Sequence, residues 1–206
     1  MKVTKERQAA NREALIRAAG ALFREHGVDG VGVAQICKAA GLTHGALYAQ
    51  FPSKDALVAE ALTAGLAMSR ERARAARRDD VPLLTNILDY YLGQERRDDI
   101  GGSCALAASA SEAARQDREV SVRFRDGLGD MAEGIAASLG AVAEGPDART
   151  RALGMLATMI GGLAISRAVQ KADPAFADEI LAAVRTTSGL IGGEAPAKKA
   201  ARRRTA

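Results

Sequence analysis

Residues 33–51 read VAQICKAAGLTHGALYAQF, and this stretch decides the fold. It contains two short helical patterns, at 33–40 and 44–51, separated by a turn that begins with Gly41. Glycine suits a turn position that needs positive φ, and two helices joined by so short a turn have the layout of a helix-turn-helix unit. Neither segment is long enough to be stable alone, so both must pack against a neighbouring helix.

The segments on either side complete a three-helix domain. Apolar residues recur at helical spacing over 4–26, and Gly27 stands where a glycine cap would end that helix. Ser53 is a natural N-cap for a following helix at 54–77. We therefore assign residues 1–53 to a helix-turn-helix domain. Any compact helical domain can place short helices around a glycine turn, so the pattern alone leaves a purely structural alternative open.

The rest of the chain is predicted to be helical as well, which makes the protein all-α with about nine helices. Residues 54–191 form a second helical domain, and the helix 54–77 links it to the first. The last residues, 192–206, are rich in Lys and Arg and have few apolar side chains, which predicts a disordered basic tail. The further helices are predicted at 83–96, 104–115, 117–143, 147–171 and 174–191.

Composition excludes several other classes of protein. Ala, Leu and Arg dominate, aromatic residues make up 3% without any Trp, and β-branched runs are missing, which argues against a sandwich, a barrel or a doubly wound sheet. No run of 18 uncharged apolar residues is present, so no membrane-spanning helix is expected. No secretory signal is apparent, and two cysteines cannot build a disulfide framework. A cytoplasmic protein is expected.

The charge is distributed unevenly along the chain. The net charge is +4 over residues 1–54, −4 over 55–190 and +4 over 191–206. An anionic partner would therefore meet the two ends, and the basic tail would add affinity for phosphates if it reaches DNA. The alternatives are that these local charges are solvated surface and that the tail only promotes solubility.

The second helix of the helix-turn-helix unit is the candidate DNA-reading element, at 43–50. In such units the N-terminal residues of this helix point at base edges in the major groove. Hydroxyl groups near its ends can donate to phosphates, and the N-terminus of the next helix is an anion site. The expected DNA-binding residues are Gln35, Thr43, His44, Gly45, Tyr48 and Lys54.

Residues 12–60 resemble the TetR/AcrR family of transcriptional regulators. The family's usual signature, a Tyr, a Phe and then Lys, an acidic residue and Leu, matches the sequence YAQFPSKDAL at 48–57. Two positions depart from the family pattern, Cys37 where Ala is common and Gln50 where His or Tyr is common, so the operator sequence is not carried over. Matching residues further upstream are Ala19, Leu22, Phe23, His26, Gly27, Val33, Ile36, Ala39, Ala40, Gly41, Gly45, Ala46 and Leu47.

The resemblance implies a homodimeric regulator that binds a palindromic operator. Members of the family are usually repressors, so a repressor is expected. The resemblance further implies that an unknown small molecule binds the C-terminal domain and that motion of the fourth helix re-spaces the two recognition helices. No cofactor is expected. The chain has no Ser/His/Asp grouping, phosphate loop or paired catalytic carboxylates, which argues against an enzyme. The alternative function is that of an architectural protein that binds DNA without reading its sequence.

Dimerisation is expected on the last two long helices. Residues 153–165 are apolar almost all round, so one face could pack within the subunit and the other against a partner. A wholly intramolecular core is the alternative. The candidate dimer residues are Met155, Met159, Gly162, Ile180 and Val184, and the candidate pocket residues, which could equally be core, are Tyr90, Tyr91, Cys104, Phe124 and Met131.

Cys104 follows a glycine pair and is predicted at or near a helix start. A thiol there could sense electrophiles or oxidants, and the alternative is a small side chain used for packing. Neither His26 nor His44 has the spacing to Cys or carboxylates of a metal site, so no metal is expected. A charged cluster near the pocket helices, Glu112, Arg115 and Asp117, is interpreted as a solvated face.

Overall fold

The computed structural model describes residues 4–139 and 146–194, which form ten α-helices and one 3₁₀ turn and contain no strand. The predicted all-α class is confirmed. The helices are α1 (Lys5–His26), α2 (Val33–Ala40), α3 (His44–Tyr48), α4 (Lys54–Ala75), α5 (Leu83–Tyr91), α6 (Gln94–Asp98), α7 (Ala105–Ser109), α8 (Arg118–Ser138), α9 (Ala148–Gln170) and α10 (Pro174–Gly192), with the 3₁₀ turn at Ala113–Arg115.

The first three helices pack around a small apolar core of their own. Leu15 of α1, Ile36 of α2 and Leu47 of α3 are fully buried, and Phe51 closes the core from beyond α3. The turn between α2 and α3 depends on Gly41, whose φ of 67° lies in the left-handed region that the sequence predicts. The helix-turn-helix unit therefore rests on α1, which supplies the stability that two short helices lack.

Two of the predicted helices are each divided in the structure, and a third is shorter than predicted. The segment 83–96 is two helices, because Gly93 adopts extended backbone angles and starts α6 after α5 has ended. The segment 104–115 is also divided, into α7 and the 3₁₀ turn, since the amide of Glu112 donates to the Ser109 carbonyl instead of continuing the α-helical ladder. The third helix ends at Tyr48, three residues before the predicted 51.

Helices α9 and α10 form an antiparallel pair that makes the most extensive helix contact of the fold. Their turn is capped by Asp173, whose carboxylate accepts from the Phe176 amide, and Pro174 opens α10. The buried Ser166 hydroxyl donates to the Ala177 carbonyl across the pair at 2.8 Å. Inside the domain, α9 also contacts α8, and α8 contacts α4.

Among the described residues, α9 is the one helix long and apolar enough to cross a membrane by length and composition. In the single chain 39% of its most apolar window is buried. Length and composition are weak evidence, because the core helix of a soluble protein passes the same test. The inner face of α9 packs in the core, and its outer face is exposed in the single chain.

Residues 192–194, which the sequence assigns to the disordered tail, are part of the folded domain. Gly192 is the last residue of α10, Gly193 turns the chain with φ of 93°, and Glu194 is fixed to α5 and α10 by hydrogen bonds. Residues 195–206, which hold the basic cluster, lie outside the described residues, as do 140–143 of the predicted helix 117–143.

Candidate nucleic-acid interface and effector cavity

The N-terminal end of α3 exposes polar residues, while a buried apolar side chain of the same helix fixes its orientation. Leu47 is fully buried against the domain core, which fixes how the helix is rotated. The same rotation leaves Thr43, His44 and Gly45 exposed, and Tyr48 is 56% exposed. Thr43 caps the helix, because its hydroxyl oxygen accepts from the Ala46 amide at 3.2 Å. Its hydroxyl proton stays available to donate to a phosphate oxygen.

Gln35 and Lys54, the other two predicted DNA ligands, have internal contacts. The side-chain oxygen of Gln35 accepts from the Gly32 amide at 2.8 Å and so caps the start of α2, while its amide nitrogen remains exposed. The Lys54 ammonium donates to the Val28 carbonyl at 2.6 Å and lies over the Phe23 ring. The primary contact of Lys54 is therefore within the domain, and its role as a phosphate ligand stays a prediction.

A cavity of about 400 Å³ lies in the C-terminal domain between α4, α5 and α8, with Met159 of α9 at its base. Three of the five predicted pocket residues, Tyr90, Tyr91 and Met131, line it. Phe124 does not, because it turns toward the apolar core from the preceding turns of α8. Such a volume, with apolar walls and a few polar groups, is the usual form of a small-molecule site.

Cys104 also lies outside the cavity lining. It is the N-cap residue of α7 and only 1% exposed, because it is buried in the core beside Tyr91. Burial, together with the neighbouring thiol, raises the pKa of Tyr91 well above its usual value, so its hydroxyl keeps its proton. A reagent reaches the thiol only if this region opens, and the sensor role stays a prediction.

The predicted dimer residues prove to face inward for the most part. Met155 and Met159 are fully buried in the subunit core. A Cβ at Gly162 would come within 2.3 Å of a Val184 methyl, so these two residues make the α9–α10 contact inside one chain. Of the five, only Ile180 and Val184 retain partial exposure. The large apolar side chains of these two helices that face outward are Leu153 and Ile165 of α9 and Phe176 and Leu190 of α10, and none of the four is among the five candidates.

The sequence of the N-terminal domain matches a known family. Residues 15–61 fit the family model described as bacterial regulatory proteins, tetR family. The matched segment runs from the core of α1 through the helix-turn-helix unit into α4. The N-terminal domain belongs to the TetR family. No curated protein matches the sequence.

Solved structures extend the likeness beyond the TetR-family domain. A TetR-family regulator from Cytophaga hutchinsonii is 19% identical, with 97% of this chain and 100% of that one covered and a TM-score of 0.74. A transcriptional regulator from Rhodococcus sp. Rha1 is 27% identical, covering 87% and 95%, with a TM-score of 0.68. A TetR regulator from Chloroflexus aurantiacus is 23% identical, covering 88% and 95%, with a TM-score of 0.72. The whole chain has the fold of TetR-family regulators.

The TetR-family domain is joined to the C-terminal domain by hydrogen bonds at the end of α1. The Val28 amide donates to the Glu112 carboxylate at 3.0 Å, and the Arg24 guanidinium donates to the Gly101 carbonyl at 2.5 Å. Burial lowers the pKa of Arg24 from its usual value, and the neighbouring Arg72 adds to the effect. Glu112, which sequence analysis assigns to a solvated face, is thus an interdomain contact.

The segment that carries Gly101 is itself braced by α9. Arg167 of α9 donates to the Arg96 carbonyl at 2.8 Å and to the Arg97 carbonyl at 3.0 Å, and it also donates to the Ser103 hydroxyl. Arg96 in turn donates to the Gly102 carbonyl at 2.9 Å. Sequence patterns give no signal for the contacts of Arg167, because its partners lie more than 60 residues away in the chain.

Proposed function

We propose that the protein is a ligand-responsive transcriptional repressor that binds a palindromic operator as a cytoplasmic homodimer. The recognition segment is 43–50, and the effector occupies the cavity between α4, α5 and α8. The observation that carries the proposal is that a single helix, α4, starts at the helix-turn-helix unit and lines the cavity at its other end. Family membership of the N-terminal domain supports the DNA-binding part of the proposal.

The exposed end of α3 supplies the groups that DNA recognition needs. Thr43 and Tyr48 offer hydroxyl donors for phosphates, and the His44 ring is free to reach a base edge in the major groove. Gly45 allows the backbone to approach the DNA closely, since it adds no side chain. These four exposed residues lie within about one and a half turns of helix, and the major groove is wide enough to admit an α-helix.

Helix α4 connects effector binding to DNA binding. It has 22 residues and is therefore about 33 Å long. Lys54 at its start is tied to the Val28 carbonyl, and Arg70 near its end pairs with Asp130 of α8 at 3.0 Å. An effector that separates α4 from α8 would tilt the helix and displace α3. A shift of a few ångströms would break simultaneous docking of two half-sites roughly 34–36 Å apart.

The outward faces of α9 and α10 provide the dimer surface of the proposal. Ile165 is 57% exposed and Phe176 49% exposed, and both lie near the α9–α10 turn. Gly154 and Gly161 on α9 have open space beside them, so a second copy of the helix could approach closely there. An apolar surface of this kind on two long helices is typical of a protein–protein interface.

The test is a fluorescence-anisotropy titration of the full chain against DNA from upstream of its own coding region, beside a scrambled duplex. Preferential binding by about 10³-fold or more at physiological salt supports the proposal. Equal affinity for both duplexes, together with genome-wide binding that shows no preferred sites, would instead favour the architectural alternative.

A histidine pair separates recognition from general effects on the fold. His44→Ala should weaken operator binding by roughly tenfold or more, because a base-edge contact is lost. His26→Ala removes the same side chain from an exposed position at the end of α1, outside the recognition segment, and should leave affinity unchanged. If the two variants bind the operator equally well, the assignment of α3 as the reading helix is wrong.

A further inference from the structure

The cavity between α4, α5 and α8 has mostly apolar walls and a few polar groups with few contacts inside the protein. Leu66, Ile87, Met131, Ile135 and Met159 supply most of its wall. These side chains exclude water from the interior and leave room for a hydrophobic molecule of drug-like size. The polar groups of the lining therefore decide which chemical class of molecule fits.

One tyrosine hydroxyl in the lining lacks a partner. Within the described residues, no nitrogen or oxygen atom pairs with the hydroxyl of Tyr90, although its oxygen atom is buried. The hydroxyl of Tyr91 lies beside the thiol of Cys104, which is outside the cavity lining. Buried donors are normally satisfied, so the free Tyr90 hydroxyl calls for an acceptor supplied by a ligand.

The mouth of the cavity is positively charged. Arg70, Arg74 and Arg77 lie on one side of α4 and its end, at spacings of four and three residues. Among the described residues of the lining, Asp130 is the one acidic residue, and it pairs with Arg70. Among the described residues, neither Arg74 nor Arg77 pairs with a carboxylate. Two exposed guanidinium groups are therefore available to an anion at the mouth.

We propose that the effector is an amphipathic carboxylic acid that also carries an oxygen acceptor at its apolar end. The carboxylate binds Arg74 and Arg77, the hydrocarbon body packs against the apolar wall, and the second oxygen accepts from Tyr90. This inference rests on the proposed function, because it names the class of molecule that the regulatory cavity takes. Neutral and cationic molecules of the same shape gain nothing from the charged mouth.

Isothermal titration calorimetry on the full chain without DNA tests the class directly. The probes are 10-hydroxydecanoate, decanoate, decanol and decyltrimethylammonium, each below its micelle concentration. Decanoate should bind roughly tenfold more tightly than decanol, and the cation should bind most weakly. The hydroxy acid should bind more tightly than decanoate. Equal affinity for all four probes, or no binding by either acid, overturns the inference.

Two sets of variants identify the groups responsible. Arg74→Gln with Arg77→Gln should remove the preference for decanoate over decanol, whereas Arg123→Gln, an exposed arginine of α8 outside the cavity lining, should keep it. Tyr90→Phe should erase the advantage of the hydroxy acid and leave decanoate binding unchanged. If the arginine variant still binds decanoate more tightly than decanol, the carboxylate part of the inference is wrong. If the tyrosine variant still binds the hydroxy acid more tightly than decanoate, the part about the second oxygen is wrong.

The same probes distinguish a failure of this inference from a failure of the proposed function. If the acids bind as expected but do not release the operator, the ligand class holds and the regulatory role fails. If the protein binds its operator but none of the acids binds to it, the regulator stands and the ligand class is wrong.

Discussion

At the scale of single residues, Glu194 shows how one carboxylate secures the end of the last helix. Thr85 of α5 donates to it at 2.7 Å, and Arg185 of α10 donates to it at 2.7 Å. Arg185 also donates to Asp89 at 2.8 Å, so α5 and α10 share one charged cluster. Burial opposes ionisation of Glu194, but the hydrogen bonds from Arg185 and Thr85 outweigh it and lower the pKa of the carboxyl.

This cluster predicts a pH-dependent loss of stability for Glu194→Gln. A carboxyl whose pKa is lowered by folding adds stability above the pKa it has in the unfolded chain, and loses that stability as the pH falls through the folded value. The variant should therefore be less stable than the parent by about 1 kcal/mol at neutral pH, with the difference vanishing in the acid range. Denaturant unfolding at a series of pH values measures it.

Glu179→Gln, on an exposed part of α10, is the control and should change little at any pH. A difference between Glu194→Gln and the parent that stays constant from neutral to acid pH would show that the carboxylate charge contributes nothing.

Residues that act on their near neighbours in sequence were predictable. Ser53 caps α4 by accepting from the Ala56 amide at 3.1 Å, and Gly41 has positive φ, both as the pattern indicates. Lys54 was not predictable in the same way, because its ammonium binds a carbonyl 26 residues away in sequence. The burial of Met155 and Met159 was not predictable either, since a helix that is apolar all round does not reveal which side faces the core.

At the scale of elements, the 3₁₀ turn and α7 act as a bridge between the domains. The Glu112 carboxylate, just before the turn, accepts from the Val28 amide, which belongs to the segment that follows α1. A side chain at Gly27 would meet the same carboxylate, so the two segments approach closely. We therefore expect movement of the 99–115 segment to reach the end of α1 through this contact, in addition to the proposed path through α4.

Replacing the bridging carboxylate tests this second path. Glu112→Ala leaves the buried Val28 amide without its partner, and this should lower the free energy of unfolding by about 1–3 kcal/mol. Hydrogen exchange at the Val28 amide should accelerate, and mass spectrometry of peptides that contain it measures the change. Glu119→Ala removes an exposed carboxylate of α8 and is the control. Unchanged exchange at Val28 in Glu112→Ala would mean that the contact does not hold the domains together.

Helix boundaries were predictable only where a strong local signal marks them. The ends of α1 and α2 have glycine caps, and the observed bounds agree with the predicted segments to within one residue. Neither a proline nor a cluster of turn residues marks the break at Gly93. The helical periodicity of the sequence therefore continues across it and predicts one helix. The division of 104–115 lies beside the tertiary contact of Glu112 with Val28, which no local pattern records.

At the scale of the whole molecule, the order of helices follows from composition and periodicity, whereas the surface of association does not. Helices α9 and α10 use one face to pack against each other and against the core, through the Gly162–Val184 contact and the buried methionines. The opposite face retains the apolar side chains of Leu153, Ile165, Phe176 and Leu190. Under the proposed function, the partner of this face is the same face of a second copy, because a two-fold symmetric operator binds a two-fold symmetric dimer.

If the outward face of α9 and α10 is the dimer surface, one charge introduced there should weaken self-association. Ile165→Glu should weaken self-association by roughly tenfold or more, because a carboxylate would be buried against an apolar partner surface. Sedimentation velocity over a range of micromolar concentrations measures the shift from dimer to monomer. Ile100→Glu introduces the same change at another exposed isoleucine, between α6 and α7, and should leave the parent's association unchanged. If the parent sediments only as a monomer, or if Ile165→Glu associates as well as Ile100→Glu does, then α9 and α10 do not form the interface, and operator binding must depend on a different surface.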